Sequence, residues 1–480
     1  MSKNQGALAP EETSPEQVRR LFDLQKAAFL KNPYPSLQER RAALDSLFRL
    51  VKENEENFVD SINHDFGCRS PQETRIMEVG VALEDIRHIK SHLAGWMRTP
   101  RKLTSIWFWP ATARVIRQPL GVVGIIVPWN FPMMLAATPL SAALAAGNRV
   151  ILKMSEHTPA TSALFARLVR EVYSEDQVAV VLGGPETARA MTRAPFDRIL
   201  YTGATARGVD VLHAAADNLT PVTLELGGKN PAIIHPDFPL ETAAARVITA
   251  KLLNAGQSCV SVDYVMVQAG MEERFIQAAS AHASKNYPSM VDNPDYTAII
   301  DERHYARIIR ELEDAREKGA TIVEANPYGE VFDPSSRKIP PTFVYNVTDD
   351  MDLAKEEIFG PVTLVIPYDS IEDAMAYVNS RPRPLALYYF DNDKHRTEQV
   401  LRGTVTGTAA VNDAVWQFVT FGVPFGGVGH SGMGRYHGEY GFAEFSHEKG
   451  VFIQSRFNQL WTVMPPYDWI TRLVTRLMIR

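Results

Sequence analysis

The stretch "GVVGIIVPWNFPMMLAATPLSAALAAGNRVILKM", residues 121–154, decides how this chain is read. It opens with a short apolar run rich in β-branched residues, which predicts a strand buried on both faces. Pro128, Asn130 and Pro132 break the run, and "MMLAATPLSAALAAGN" follows as a helix closed by Gly147. "RVILKM" is then a second strand. No charge lies between Arg117 and Arg149, a length that could span a bilayer. The prolines and Asn130 fit a strand followed by a helix better than one continuous membrane span.

Working outward, the same alternation continues. "PATSALFARLVREVY" is a helix, "VAVVL" a strand, "ETARAMTRA" a helix, "RILYTG" a strand, "ATARGVDVLHAAA" a helix and "PVTLELGG" a strand. Strands and helices in turn, with short links, predict a doubly wound parallel sheet of the α/β class. Ligands bind such sheets at the carboxyl ends of the strands. The residues to watch are therefore Pro128 to Phe131, Lys153 to Glu156, Thr202 to Arg207 and Glu225 to Gly228. Upstream, the first hundred residues read as helices: Ser36 and Glu39 form a capping box, and Leu44, Leu47, Phe48 and Val51 share one helical face. Downstream, a second alternating region runs from Pro231 to Phe421. It is followed by the glycine-dense loop "PFGGVGHSGMGRYHGEYG", which needs unusual backbone angles or very close approach. The terminal "YDWITRLVTRLMIR" reads as an amphipathic basic helix, with Arg472, Arg476 and Arg480 four apart. Its apolar face carries Trp469, Ile470, Leu473, Val474 and Leu477.

Bulk composition bounds the function. A chain of 480 residues is too long for one ordinary core. Its hydrophobic and charged fractions, 45% and 22%, are those of a soluble globular protein. A net charge of −6 with scattered basic residues gives no case for nucleic acid. Two cysteines build no disulfide framework and show no metal-ligand spacing, so no metal is expected and a reducing cytosol fits. The polar start "MSKNQGALAPEETSPEQ" lacks the apolar core of a signal peptide.

Of the two thiols, Cys259 in "NAGQSCVSVDY" lies at a loop-to-strand junction, where its N–H is free to donate. There it reads equally as a nucleophile or as a buried structural cysteine. Cys68, in "DFGCRS", has no such setting and reads as structural. Glu225 ends a buried strand ahead of Gly227 and Gly228. A carboxylate so placed is costly unless paired or set in a cleft, which makes it a general base or a salt-bridged structural acid. Asn130, held between prolines, is an oxyanion donor or a helix cap. "YTGATARG", 201–208, is a strand, turn and helix start suited to a pyrophosphate, but it lacks the dinucleotide glycine pattern. Lys153 and Glu156 close a strand where an acid accepts from ribose hydroxyls; the plainer alternative is a surface ion pair.

Together these segments resemble the aldehyde dehydrogenase superfamily. The matches run in order along the chain: "PWNFP" at 128–132, "KMSEHTP" at 153–159, "YTGATARG" at 201–208, "LELGGKNP" at 224–231, "GQSC" at 256–259, "EEIFGPV" at 356–362 and "PFGGVGHSGMGRYHGEYGF" at 424–442. The last of these, with the short N-terminus, resembles the class 3 and fatty-aldehyde branch. "HDFGCRSPQET" and "QPLGVVGIIVPWNFP" are most similar to bacterial coniferyl aldehyde dehydrogenases.

The resemblance implies the following expectations. Cys259 is the nucleophile and Glu225 the general base, with Asn130 and the Cys259 N–H as the oxyanion hole. Glu357 and Phe359 hold the nicotinamide ribose and ring, and Lys153 and Glu156 the adenine ribose. Gly203, Ala204 and Thr205 lie by the pyrophosphate, and Gly227, Pro128 and Trp129 complete the cofactor site. Met154 and Ala204 stand where many members have proline and serine, which leaves NADP open beside NAD. Trp416 and Phe418, with Trp129, line a substrate funnel unless they are ordinary core. The implied product is a carboxylic acid, formed through a cysteine hemithioacetal and thioester after hydride transfer to the nicotinamide. The expected substrate is an aromatic or cinnamyl aldehyde such as coniferaldehyde; the alternative is a medium- or long-chain fatty aldehyde. An acylating enzyme passing the thioester to coenzyme A is disfavoured by Glu225. A non-catalytic dinucleotide-binding or redox-sensing protein is disfavoured by the joint presence of Cys259, Glu225, Asn130 and Glu357. The expected domains are a Rossmann-like cofactor domain over 1–103 and 116–227, and an α/β catalytic domain over 228–425. An oligomerisation arm and tail take 104–115 and 445–480, including Trp107 and Trp109, and imply a homodimer in the cytoplasm. The C-terminal helix belongs to the dimer interface or covers the funnel; contact with a membrane surface is the other reading.

Overall fold

The computed structural model describes residues 12–479. Residues 1–11 of the N-terminal stretch read for a signal peptide lie outside them, as does Arg480.

Residues 121–154 fold as their sequence requires. Val122–Ile126 is a fully buried strand, the apolar Met134–Ala146 is a helix with every residue buried, and Arg149–Lys153 returns parallel to the first strand. Gly147 ends that helix at φ 91°, a left-handed angle that glycine adopts without a Cβ penalty. The sheet has six strands, in the order Gly432–Met433, Val222–Glu225, Arg198–Thr202, Val122–Ile126, Arg149–Lys153 and Val178–Val181. Five run parallel. Gly432–Met433 is antiparallel and pairs Gly432 with Glu225, an edge that strand–helix alternation does not reveal.

The second alternating region forms a seven-stranded sheet with Val262–Gln268 and Asn230–Ile234 at its centre. It is also mixed, because Thr321–Glu324 runs antiparallel at one edge. A third sheet joins Arg101–Lys102, Thr112–Pro119 and Ser446–Ile453 as an antiparallel ribbon. The N-terminal helices pack on the six-stranded unit. Ser36 caps Leu37–Glu53 through the expected box, and Leu44, Leu47 and Val51 are buried while Phe48 packs at the margin of the core.

The terminal helix spans Trp469–Ile479 and packs on Leu460–Val463. Trp469, Leu473 and Leu477 on its apolar face are exposed. Among the described residues, no helix is long and apolar enough to cross a membrane.

Candidate active site

The carboxyl ends of strands in the six-stranded sheet, and the turn before a central strand of the seven-stranded sheet, supply residues named from the sequence. Glu225 is the last residue of its strand, Lys153 the last of another, and Pro128 to Asn130 follow a third. Cys259 lies three residues before Val262–Gln268. Asn230 fixes the cysteine turn: its Nδ2 donates to the carbonyls of Cys259 (2.8 Å) and Ser261 (2.9 Å), and its Oδ1 accepts from the Ala386 N–H.

Glu225 is 3% exposed, and neither of its carboxylate oxygens has a hydrogen-bond partner among the described residues. Burial, with the Glu444 charge adding, pushes its carboxyl well above the usual range. The structural-acid alternative requires a salt bridge, and no described residue supplies one. Cys259 is partly buried and unpaired. Burial pushes its thiol up, and the Glu357 and Glu225 charges act in the same direction. The two residues therefore share one electrostatic environment, in which a charge on Glu225 holds the Cys259 thiol more firmly in its protonated form.

Asn130 is buried, and its Nδ2 donates to the Gln257 carbonyl at 3.2 Å, which ties the loop after the first strand to the turn before Cys259. A side-chain amide has two N–H groups, so one remains for a ligand. Residues 416–418 reach the same turn through side chains: Gln417 donates to the Tyr388 hydroxyl (3.1 Å), which donates to the Val260 carbonyl. Phe418 is buried against Phe425 and His437, each at 5.4 Å between ring centroids, and Trp416 is exposed.

Glu357 packs on Gly227: a Cβ there would lie 2.2 Å from Glu357 Oε2, so any other residue would push the carboxylate from its place. Glu357 Oε1 is buried with no partner among the described residues, and burial pushes the group up to about 8. Phe359 adopts φ 51° and meets Trp129 edge-on at 5.3 Å. Lys153 donates to Glu156 at 2.5 Å, so the ion pair exists at the strand end where a ribose could meet it. Thr205–Ala216 starts without a side-chain cap, leaving its first N–H groups free for an anion. Thr205 donates to the His430 carbonyl, which joins this turn to the glycine-dense loop. Unpartnered acid, close-packed glycines and an uncapped helix start fit a dinucleotide. No cluster of metal-ligating side chains occurs among the described residues.

The chain matches the model of the aldehyde dehydrogenase family over residues 4–451. This chain belongs to the aldehyde dehydrogenase family. The enzyme is 47% identical to a "Probable coniferyl aldehyde dehydrogenase" of Pseudomonas aeruginosa, over 97% of each chain. Its structure matches a substrate-bound Staphylococcus aureus AldH with a TM-score of 0.91 and 33% identity, covering 96% of this chain and 99% of that one. A Mycobacterium tuberculosis aldehyde dehydrogenase complexed with NAD+ matches with a TM-score of 0.83 and 29% identity, over 93% and 92% of the two chains.

The sequence reading missed two sets of residues around this site. One is the ring cluster of Phe421, Phe425, Tyr436 and His437 beside Phe418. His437 stacks on Phe425 at 5.0 Å, both ring nitrogens lack partners among the described residues, and burial pushes its pKa down to about 3. The other is a group of buried charges from Arg69 to Glu78, whose only signal was the "CRSPQET" segment.

Proposed function

We propose that this enzyme oxidises an aromatic aldehyde of the cinnamyl type, such as coniferaldehyde, to its acid, with NAD as the oxidant. The observation that carries the chemistry is Glu225, a buried carboxylate without hydrogen-bond partners that shares an electrostatic environment with the Cys259 thiol. The cinnamyl assignment is supported by the likeness to the Pseudomonas aeruginosa relative and by the rings at Trp129, Phe418 and Phe425.

Cys259, as thiolate, attacks the aldehyde carbon. The oxyanion of the hemithioacetal takes the free N–H of Asn130 and the Cys259 backbone N–H. The oxidised nicotinamide supplies a hydride acceptor and a positive charge. Loss of hydride from the former aldehyde carbon restores its C=O and leaves a thioester on Cys259. Glu225, once ionised, takes a proton from water as that water attacks the thioester; the C–S bond breaks and the acid leaves. Lys153 and Glu156 bind the adenine ribose, Gly203 to Thr205 the pyrophosphate, and Glu357 and Phe359 the nicotinamide half, with Gly227, Pro128 and Trp129 beside them. Glu156 would repel a 2′-phosphate, which favours NAD over NADP.

On this reading the six-stranded unit holds the cofactor and the seven-stranded unit the nucleophile. The ribbon of Thr112–Pro119 and Ser446–Ile453, with the exposed face of Trp469–Ile479, serves a homodimer. The two unpaired cysteines favour a reducing cytoplasm.

The test is NADH formation from coniferaldehyde, benzaldehyde and decanal by wild type and Cys259→Ala. The reading expects coniferaldehyde to rank first and the variant to lose more than about a thousandfold in turnover. Decanal ranking first would replace the cinnamyl substrate with a fatty one, and an active Cys259→Ala would remove the thiol mechanism.

A further inference from the structure

The oxyanion hole proposed above is made of two halves from different sheets. Asn130 follows a strand of the six-stranded sheet, and Cys259 precedes a strand of the seven-stranded one. A single segment of the N-terminal region touches both halves.

Arg69 is fully buried, with its guanidinium over the rings of Phe66 and Phe131 at 4.8 and 4.7 Å. Its Nη1 donates to the Asn130 carbonyl at 2.8 Å and lies 3.1 Å from Glu78. Glu78, on the π-helical turn Thr74–Gly80, accepts the N–H groups of Met133 (2.8 Å) and Met134 (3.1 Å) at the end of the Asn130 loop. Those bonds hold the first half.

Glu73 reaches the second half. It accepts from the Asn254 N–H at 3.1 Å and from the Thr297 hydroxyl at 3.0 Å. Asn254 and Ala255 adopt φ 51° and 52°, left-handed angles that non-glycine residues keep only where their surroundings hold them. The Asn254 side chain then donates to the carbonyls of Asn130 (2.9 Å) and Gln257 (3.1 Å). Gln257 donates to Asn254 and Ala298 and accepts from the Ile300 N–H, while Ala298 donates to the Cys68 carbonyl. The ring of bonds thus runs from residues 68–73 to 297–300, to the cysteine turn, to Asn130 and back.

We propose that Arg69 and Glu73 are positioning residues for the oxyanion hole. Arg69 fixes the backbone of Asn130, and Glu73 fixes the strained turn that leads to Cys259. The Gln257 carbonyl occupies one N–H of the Asn130 amide, which leaves the other for the oxyanion. A displacement of about 1 Å at such a site costs on the order of a hundredfold in rate, so these residues act on the chemical step without touching substrate. The inference rests on the assignment of Cys259 and Asn130 made above.

The experiment is rapid mixing of the full-length enzyme with saturating NAD and coniferaldehyde, reading the first-turnover burst of NADH. Wild type, Glu73→Ala, Glu73→Gln and Asn130→Ala are compared, together with the KM for NAD. Glu73→Ala is expected to slow the burst by about ten- to hundredfold with the KM for NAD unmoved. Glu73→Gln is expected to recover most of the rate, because its amide oxygen still accepts from the Asn254 N–H. A wild-type burst in Glu73→Ala beside a slowed Asn130→Ala overturns this inference alone. A KM for NAD that rises in step with the loss overturns it too, since that is general loosening. A wild-type burst in Asn130→Ala overturns the catalytic assignment and the inference with it. If Glu73→Ala does not fold, Thr297→Val removes one of the two donors to Glu73, and a burst slowed by less than about twofold would be the refuting result.

Discussion

Two buried acids stand in opposite circumstances in this enzyme. One carboxylate oxygen of Glu78 lies 3.1 Å from the Arg69 guanidinium, and the other accepts two backbone N–H groups, so its charge has an opposite charge and donors beside it. Glu225 is as deeply buried and has no hydrogen-bond partner among the described residues. Burial pushes both carboxyls up, but for Glu78 the Arg69 charge and the N–H groups of Met134 and Met133 pull back. An answered acid serves structure. An unanswered one is a standing cost that the fold does not need, which is the pattern expected of a group kept for chemistry.

The comparison breaks first at Glu78. Glu78→Ala leaves Arg69 as an uncompensated buried charge and should cost about 3–5 kcal/mol in urea unfolding. The double variant Arg69→Met with Glu78→Leu should recover most of that stability. A single variant as stable as wild type would mean that the pair is not what holds this region.

Glu225→Gln should do the reverse. Stability is kept or raised, while steady-state turnover falls by about a hundredfold or more and the first burst of NADH survives, because only thioester hydrolysis needs the base. A lost burst with normal hydrolysis of a preformed thioester would assign Glu225 another role.

The smallest effect is in the pH dependence. Glu225 has a raised carboxyl in the folded protein, so its stabilising share is full below its ordinary value of 4.5 and is lost as pH rises toward its folded value. Glu357, pushed up to about 8, and Glu73, pushed up to about 7, behave alike. The cofactor-free wild type should therefore lose stability relative to Glu225→Gln as pH rises from about 4.5, by at most about 1.4 kcal/mol per unit. Parallel curves for the two proteins would show that Glu225 titrates as an ordinary exposed acid.

The answered acid was the one the sequence hid. The strands around residues 121–154 were legible because an apolar β-branched run bounded by prolines admits few other folds, and Glu225 and Asn130 followed from the rule that parallel sheets work at their carboxyl ends. Arg69, Glu73 and Glu78 look in sequence like any charged helical stretch. Arg69 and Glu73 are held by Asn130, Asn254 and Thr297, partners 61 to 224 positions away, and no local pattern encodes that. Gly432–Met433 was equally silent, since two residues without apolar alternation carry no strand signal.

That short strand has a consequence for synthesis. Cys259, Glu225 and Asn130 all lie before residue 260, yet the strand that ends in Glu225 gains its outer neighbour only when Gly432 and Met433 arrive. The 112–119 strand likewise waits for 446–453. A nascent chain that already holds Cys259, Glu225 and Asn130 is therefore unfinished where it matters, and activity is expected to appear only once residues 432–453 have left the ribosome.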